Sequence, residues 1–492
     1  MTKDSWVCDG LPPSWMAPKI NELGVVVRGG SPRPMGDPRY FGGDIPFMKI
    51  ADVTRSNGMT VYDSETKVTA EGALRSRRLS AGSLILTNSA TVCVPVFLGV
   101  DACIHDGFVA FEGLDFVNQK FLYYFFKYIR PYVLNENKQG VTQVNLNTGI
   151  VGDMSLLLPP ANEQRRIVAK IEELFSELDK GVESLTTARE QLKVYRQAVL
   201  KHAFEGKLTA DWRARNPEKL ETLIELLFRI PERPDRGGNQ EEHLDYSNQE
   251  FPNLPIGWHY IPFESITTSI RNGISQKPNE NGTLKIFRIS AVRPLVFDLT
   301  DFRQIDDRPE YDGFKLRRND LVFTRYNGSR SYVGVAALYK GDESHVYPDK
   351  LIRCKVNSSL VDAAYIEKAV NSGVSRSFIE SRIRTTAGQA GISGGDLKTM
   401  PVVICPLEEQ IEINRILEFQ LSLVTKLEAD VDESLSNLNS LRQAILKKAF
   451  SGQLVPQDPN DEPASDLLER IRAGKQQTAA PKKSKTKKET AA

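Results

Sequence analysis

The chain repeats itself, and the repeat limits what it can fold into. Arg196–Leu208 reads RQAVLKHAFEGKL and Arg442–Leu454 reads RQAILKKAFSGQL, identical at nine of thirteen positions with an offset of 246. The offset holds back to Glu163-Gln164 against Glu409-Gln410, and to Pro160 against Pro406. Two copies of one pattern present two similar apolar faces, and each copy is the readiest cover for the other.

A second echo lies upstream of each copy. Leu11-Pro12 and Trp15 match Leu254-Pro255 and Trp258 at an offset of 243, and Arg28-Gly29-Gly30 falls on Arg271-Asn272-Gly273. Leu79 and Gly82–Thr87 parallel Leu316 and Asn319–Thr324 at an offset of 237. The offset drifts here and is fixed downstream. Each unit of sequence is therefore a globule of variable loops followed by a portion of constrained length.

The constrained portions read as helices. Ile171, Leu174, Leu178, Leu185, Ala188, Leu192, Tyr195 and Val199 follow a three-four spacing, as do Leu417, Val424, Leu427, Val431, Leu438, Leu441 and Ile445. This is an a/d heptad seam. Each seam starts after a proline, with acidic residues in the first turn, and each ends near Gly206 or Gly452, where a C-terminal stop is expected. A helix of about 44 residues is roughly 65 Å long at about 1.5 Å per residue, too long for one small globule to cover. The expected fold is α+β: two globules, each followed by a long helix, the helices pairing as an antiparallel coiled coil with pseudo-twofold symmetry and a globule at either end of the rod. The expected boundaries are 1–159 for the first globule, 160–208 for its helix, 209–253 for a linker, 254–405 for the second globule, 406–455 for its helix, and 456–492 for a partly disordered basic tail. Within the linker, Glu221–Phe228 suggests a short helix.

In the first globule, Phe47–Ile50, Ser83–Leu86, Val92–Leu98 and Phe108–Phe111 read as strands and Asn118–Ile129 as a helix. In the second, the counterparts are Ile286–Ile289, Leu321–Thr324, Val333–Tyr339 and Leu351–Val356, with a helix at Ala363–Val370. The loops are rich in groups that read base edges: arginine for guanine, amides for adenine, the threonine methyl for thymine. Hydroxyls and backbone N–H groups suit phosphate. The candidate readers in the first globule are Arg28, Ser31 and Arg33, then Thr87, Asn88 and Ser89, then Thr142, Gln143 and Asn145. In the second they are Arg271, Asn272, Ser275 and Lys277, then Arg325, Tyr326, Asn327, Ser329 and Arg330, with Lys350 and Gln389. Such loops can also be plain turns; their recurrence at corresponding places in both copies favours binding.

Net charge is +1, so the chain as a whole is no basic wrapper, but charge is unevenly placed: residues 265–355 carry sixteen Lys/Arg against eleven Asp/Glu. Five cysteines, none in a C-x-x-C pair, point to buried thiols in a reducing cytosol. Without a signal-peptide or membrane-span pattern, the expected location is cytoplasmic. No P-loop, dinucleotide loop or methyltransferase motif is legible. The five histidines are scattered singly, so no metal site is expected; His202 sits at a seam position, where packing or an acidic partner is expected. Gly391-Ile392-Ser393-Gly394-Gly395 matches a nucleophile elbow but lacks the apolar strand that motif needs.

The order LPxxW globule, P-x-x-E-Q helix, R-Q-A-[VI]-L-K-x-A-F-x-G-x-L, twice over, resembles the specificity (S) subunit of type I restriction-modification enzymes. Arg271-Asn272-Gly273, Phe323–Ser329, Tyr347–Arg353 and Gly388–Gly394 are similar to second recognition domains of the enterobacterial A-type members. The resemblance implies a non-catalytic DNA-binding subunit with two target recognition domains, each reading half of a bipartite asymmetric site, on helices that set the spacer. It also implies two modification subunits that hold S-adenosylmethionine and two restriction subunits that use ATP and Mg, with no cofactor in this chain. The repeated Gln164, Arg196 and Phe204, with Gln410, Arg442 and Phe450, are the candidates for docking those partners. Two rival classes are a coiled-coil adaptor that binds only protein, disfavoured by the basic loops, and a single-chain methyltransferase–nuclease, disfavoured by the missing cofactor loops.

Overall fold

A computed structural model describes residues 4–7, 10–56, 58–114, 116–136, 146–220, 225, 251–342, 345–386 and 389–478. The candidates Thr142, Gln143 and Asn145, most of the linker and the lysine-rich end of the tail lie outside the described residues. The chain divides into two compact units, Met1–Leu185 with Glu433–Ala492, and Thr186–Asp432. Each unit draws on both copies of the repeat.

The long helices span Ala161–Phe204 and Leu407–Phe450, 44 residues each. They stop at glycines for two reasons. Gly206 and Gly452 take φ of +72° and +73°, the left-handed cap conformation that a Cβ penalises. In addition, a Cβ on Gly206 would collide with the Pro255 ring, and one on Gly452 with Pro12. The prolines of the two Leu-Pro-x-x-Trp motifs therefore seat against the helix end of the other copy, which explains why motif and glycine repeat together.

In the first unit, residues 161–185 pack against residues 433–450. Leu438 lies against Gly181, Arg442 is paired with Asp179, and Leu178 and Ile445 are buried. In the second unit, residues 186–204 run along 407–432: Arg189 pairs with Asp432 at 3.6 Å, and Arg196 with Glu428 at 2.8 Å. Partner numbers fall as helix numbers rise, so the pairing within each unit is antiparallel. The seam is narrower than the spacing predicts. Tyr195, Leu427 and Leu441 are exposed, and His202 faces solvent rather than packing.

Each globule is built on an antiparallel sheet. The first contains β1 (Val25–Arg28), β2 (Leu84–Thr87), β3 (Pro95–Leu98) and β4 (Phe108–Glu112) in the order β1-β4-β2-β3, with Thr60–Val61 added parallel at the edge. The second contains β5 (Thr267–Asn272), β6 (Leu321–Thr324), β8 (Ala336–Leu338) and β9 (Leu351–Val356) in the corresponding order β5-β9-β6-β8. Between β6 and β8, β7 (Tyr326–Asn327) pairs with β10 (Gln389–Gly391). The helix Gln119–Glu136 continues through Pro131, past its expected end. Val133, buried in the core beyond the proline, supplies packing that offsets the lost hydrogen bond.

The repeated motifs are the hinges of this construction, and here the sequence reading needs correction. The docking candidates are used up inside the chain. Gln164 and Gln410 are fully buried. The Gln164 carboxamide accepts from Asn118 N at 2.9 Å and donates to Pro159 O; Gln410 accepts from Asp362 N at 2.9 Å and donates to Cys405 O. Phe450 is sealed among Phe121, Phe125 and Tyr128, and Phe204 packs on Tyr365. Arg196 and Arg442 are engaged across the helix pairs. The repeat is constrained because it attaches each globule to both helices: buried polar groups must find partners, and these residues supply them.

The expected tail is partly structured. Ala464–Thr478 is a helix whose Leu467 and Leu468 are buried in the first unit. Four cysteines are free and buried, and Cys8 lies outside the described residues. Among the described residues no helix is long and apolar enough to cross a membrane, and no metal-holding cluster is present.

Candidate nucleic-acid interface

Strand register gathers the candidate residues. In the first sheet Arg28 pairs with Val109, and Thr87 with Phe108. The C-terminal ends of β1 and β2 therefore lie beside the start of β4. In the second sheet Asn272 pairs with Ile352 and Thr324 with Leu351, so the ends of β5 and β6 lie beside the start of β9. Arg28, Ser31, Arg33, Asn88 and Ser89 thus share one end of one sheet. Arg271, Asn272, Arg325 and Lys350 share the equivalent end of the other, with Tyr326, Asn327 and Gln389 on the adjoining β7–β10 pair.

The chain leaving β1 must pass close to the segment before β4. A Cβ on Gly29 would strike the His105 carbonyl, and one on Gly273 the carbonyls of Tyr347 and Pro348. The tight glycine differs by one position between the copies: Gly29 aligns with Asn272, and Gly273 with Gly30.

Two residues missed by the sequence reading organise these ends: Asp106 and Asp349. The Asp106 carbonyl accepts from Arg28 Nε at 3.0 Å and from Asn88 Nδ2 at 3.1 Å, and its N–H donates to Ser31 Oγ at 3.3 Å. Its carboxylate lies 3.4 Å from the Arg33 guanidinium and 2.9 Å from His105 Nδ1. The Asp349 carbonyl accepts from Arg325 at 3.3 Å, and its N–H donates to Ile274 O at 2.9 Å. Asp106 and Asp349, like Ser31 and Ile274, are separated by 243, while Asn88 and Arg325 are separated by 237. These are the offsets of the upstream echo, and following them would have found both aspartates.

Not every candidate faces outward. Thr87 is fully buried; its hydroxyl donates to Thr91 O and accepts from Val94 N. It closes the β2 turn and reads nothing. Asn88 is also buried, and its Nδ2 donates to the Asp106 carbonyl, which makes it a brace. By contrast Arg28, Arg33, Arg271, Asn272, Ser275, Lys277, Ser329, Arg330 and Gln389 are exposed. Arg271 stacks over Phe314 at 3.7 Å, and Arg325 over Tyr326 at 4.7 Å, which holds two flexible guanidinium groups in defined poses. Asn327 accepts from Ser329 N, and Arg330 donates to Glu380 O. Among the described residues the half-buried Arg325 leaves its Nε without a partner, a donor held away from water, and such donors are uncommon. Burial pushes the His105 imidazole below its usual range. Ser393, in the elbow-like motif, is a helix cap: its hydroxyl and N–H both engage Asp396.

Residues 12–186 match the family model described as the type I restriction modification DNA specificity domain. The chain is 34% identical over 346 residues to the type I restriction enzyme EcoKI specificity subunit of Escherichia coli K12, covering 68% of this chain and 67% of that one. It is 24% identical over 457 residues to the EcoBI specificity subunit of E. coli, covering 90% and 89%. A solved chain, from work titled as the structural basis of complex assembly and conformational transition of the type I R-M system, matches with a TM-score of 0.63 at 18% identity, covering 90% of this chain and 99% of that one. The chain belongs to the family of type I restriction enzyme specificity subunits.

Proposed function

We propose that this chain reads a bipartite, asymmetric double-stranded DNA site for a type I restriction-modification complex, one half with each globule. The convergence of arginines, amides and hydroxyls at equivalent sheet ends carries this reading. Exposed Lys and Arg contact phosphates and give affinity; the braced side chains meet base edges. The two ends differ in nearly every exposed side chain, so the two half-sites differ.

In this reading two modification subunits and two restriction subunits assemble on the chain in the cytoplasm, and they supply the S-adenosylmethionine, ATP and Mg sites. The docking surface is moved from the repeated motifs, which are occupied, to exposed apolar positions on the long helix of the second unit. Ile411, Phe419, Leu423 and Leu427 recur at steps of four and eight and are exposed, Phe419 to 71%; a packed helix would cover them.

Arg325→Ala is expected to weaken binding of the assembled complex to its own site by roughly 1–3 kcal/mol while leaving binding to random DNA nearly unchanged. Titration of both duplexes at one salt concentration checks this; equal losses on both make Arg325 a phosphate contact. We also propose that the long helices set the spacer. Insertion of about one turn into one of them should change the number of base pairs between half-sites in a methylation map, and unchanged spacing sinks the ruler.

A further inference from the structure

The Asp106 carboxylate has less to do inside the protein than its position suggests. Its backbone organises Arg28, Ser31 and Asn88, which needs no particular side chain. Among the described residues one carboxylate oxygen faces only the Arg33 guanidinium, at 3.4 Å, and Arg33 is itself 67% exposed. The other faces His105 Nδ1 at 2.9 Å. That nitrogen already accepts from Gly107 N–H at 2.9 Å, so a neutral imidazole has no proton there to give. The carboxylate is 30% exposed, at the sheet end where Arg28 and Arg33 emerge. An ionised carboxylate has about four acceptor sites, and among the described residues most of these are unfilled.

We propose that Asp106 is a base-reading residue of the first globule, accepting from the exocyclic amino group of a cytosine in the major groove. The inference rests on the DNA-reading function proposed above. Cytosine fits because it offers N4–H donors, whereas adenine places its N7 acceptor beside N6 and would repel one carboxylate oxygen. Thymine and guanine present only acceptors at the corresponding major-groove edge. Arg28 and Arg33, both already on Asp106, offset the repulsion between its charge and nearby phosphates. The equivalent Asp349 braces Arg325 through its carbonyl in the same way.

The test uses the full chain assembled with its modification subunits, as wild type, Asp106→Ala and Asp106→Asn, with methylated sites mapped by long-read sequencing. The wild type should require a cytosine at one position of one half-site. Asp106→Ala should lose that requirement alone, leaving the other half-site unchanged. In duplex competition, discrimination at that pair should fall roughly ten- to hundred-fold. Asp106→Asn should begin to admit adenine there, because an amide matches N6 and N7 together. If Asp106→Ala still requires every wild-type base, or relaxes at a pair without cytosine, the inference is wrong. If it marks nothing and its duplex affinities fall equally for all four pairs, Asp106 is structural and the inference is likewise overturned. A wild-type complex that marks no defined site sinks the DNA-reading function itself, an outcome distinct from these.

Discussion

Phe450→Ala is expected to cost about 3–5 kcal/mol of stability, the usual range for truncating a buried aromatic. Phe450 is wholly buried, stacked on Tyr128 with centroids 5.1 Å apart, against Phe121 at 5.1 Å and Phe125 at 5.8 Å. All three belong to Gln119–Glu136, so the ring joins the end of the second long helix to the helix of the first globule. Lost protection should therefore appear in hydrogen exchange of residues 119–136, together with a lower urea midpoint. Leu441→Ala, on the same helix with an exposed side chain, should change stability by less than about 0.5 kcal/mol. Unchanged protection of 119–136 in Phe450→Ala would show that the aromatic cluster does not hold the globule to the helix.

Much of the architecture was legible because its punctuation is local. Pro160, Pro406, Gly206 and Gly452 bound the long helices within a few residues. Leu321–Thr324, Leu351–Val356 and Ala363–Val370 are found at their expected limits. The direction in which repeated side chains point was not legible. Identity at Gln164/Gln410 and Phe204/Phe450 reports a shared constraint, and a shared constraint is as well explained by self-attachment as by a partner; only burial distinguishes them. Thr87 misled for a related reason. A hydroxyl beside an amide at a strand end looks like a loop reader, but Thr87 is the last strand residue, and a strand buried over all four positions turns no side chain outward. An aspartate before glycine reads as an ordinary turn, so Asp106 carries no signal of its own in one copy of the repeat. The repeat offset marks the position, but its partners come from three separate strand ends, which sheet register brings together.

Equal positions in the repeat need not be equal in energy, and Glu163 and Glu409 make the case. Each takes a hydrogen bond from the tryptophan of its globule: Trp15 Nε1 donates to Glu163 at 3.1 Å and Trp258 Nε1 to Glu409 at 2.9 Å. Their other partners differ. Glu409, fully buried, also accepts from Thr209 Oγ1 at 2.6 Å and Arg213 at 2.6 Å, and that guanidinium is only 13% exposed. Glu163 accepts instead from the neutral Gln457 amide at 2.5 Å, and burial raises its pKa. Glu409→Gln leaves a mostly buried guanidinium without its counter-charge and should cost about 3–5 kcal/mol. Glu163→Gln keeps an acceptor for Trp15 and removes a charge that burial disfavours, so its cost at neutral pH should be small. The sign with pH follows. A carboxyl whose folded pKa is raised contributes stability below its unfolded value, near 4.5, and loses it as pH climbs through the folded value. Glutamine does not titrate, so Glu163→Gln should gain on the wild type as pH rises from about 4.5. Urea unfolding of both variants across that range is the measurement. Equal losses at pH 7, or a Glu163→Gln difference that is flat with pH, would mean that the two sites do share one energetics despite their different partners.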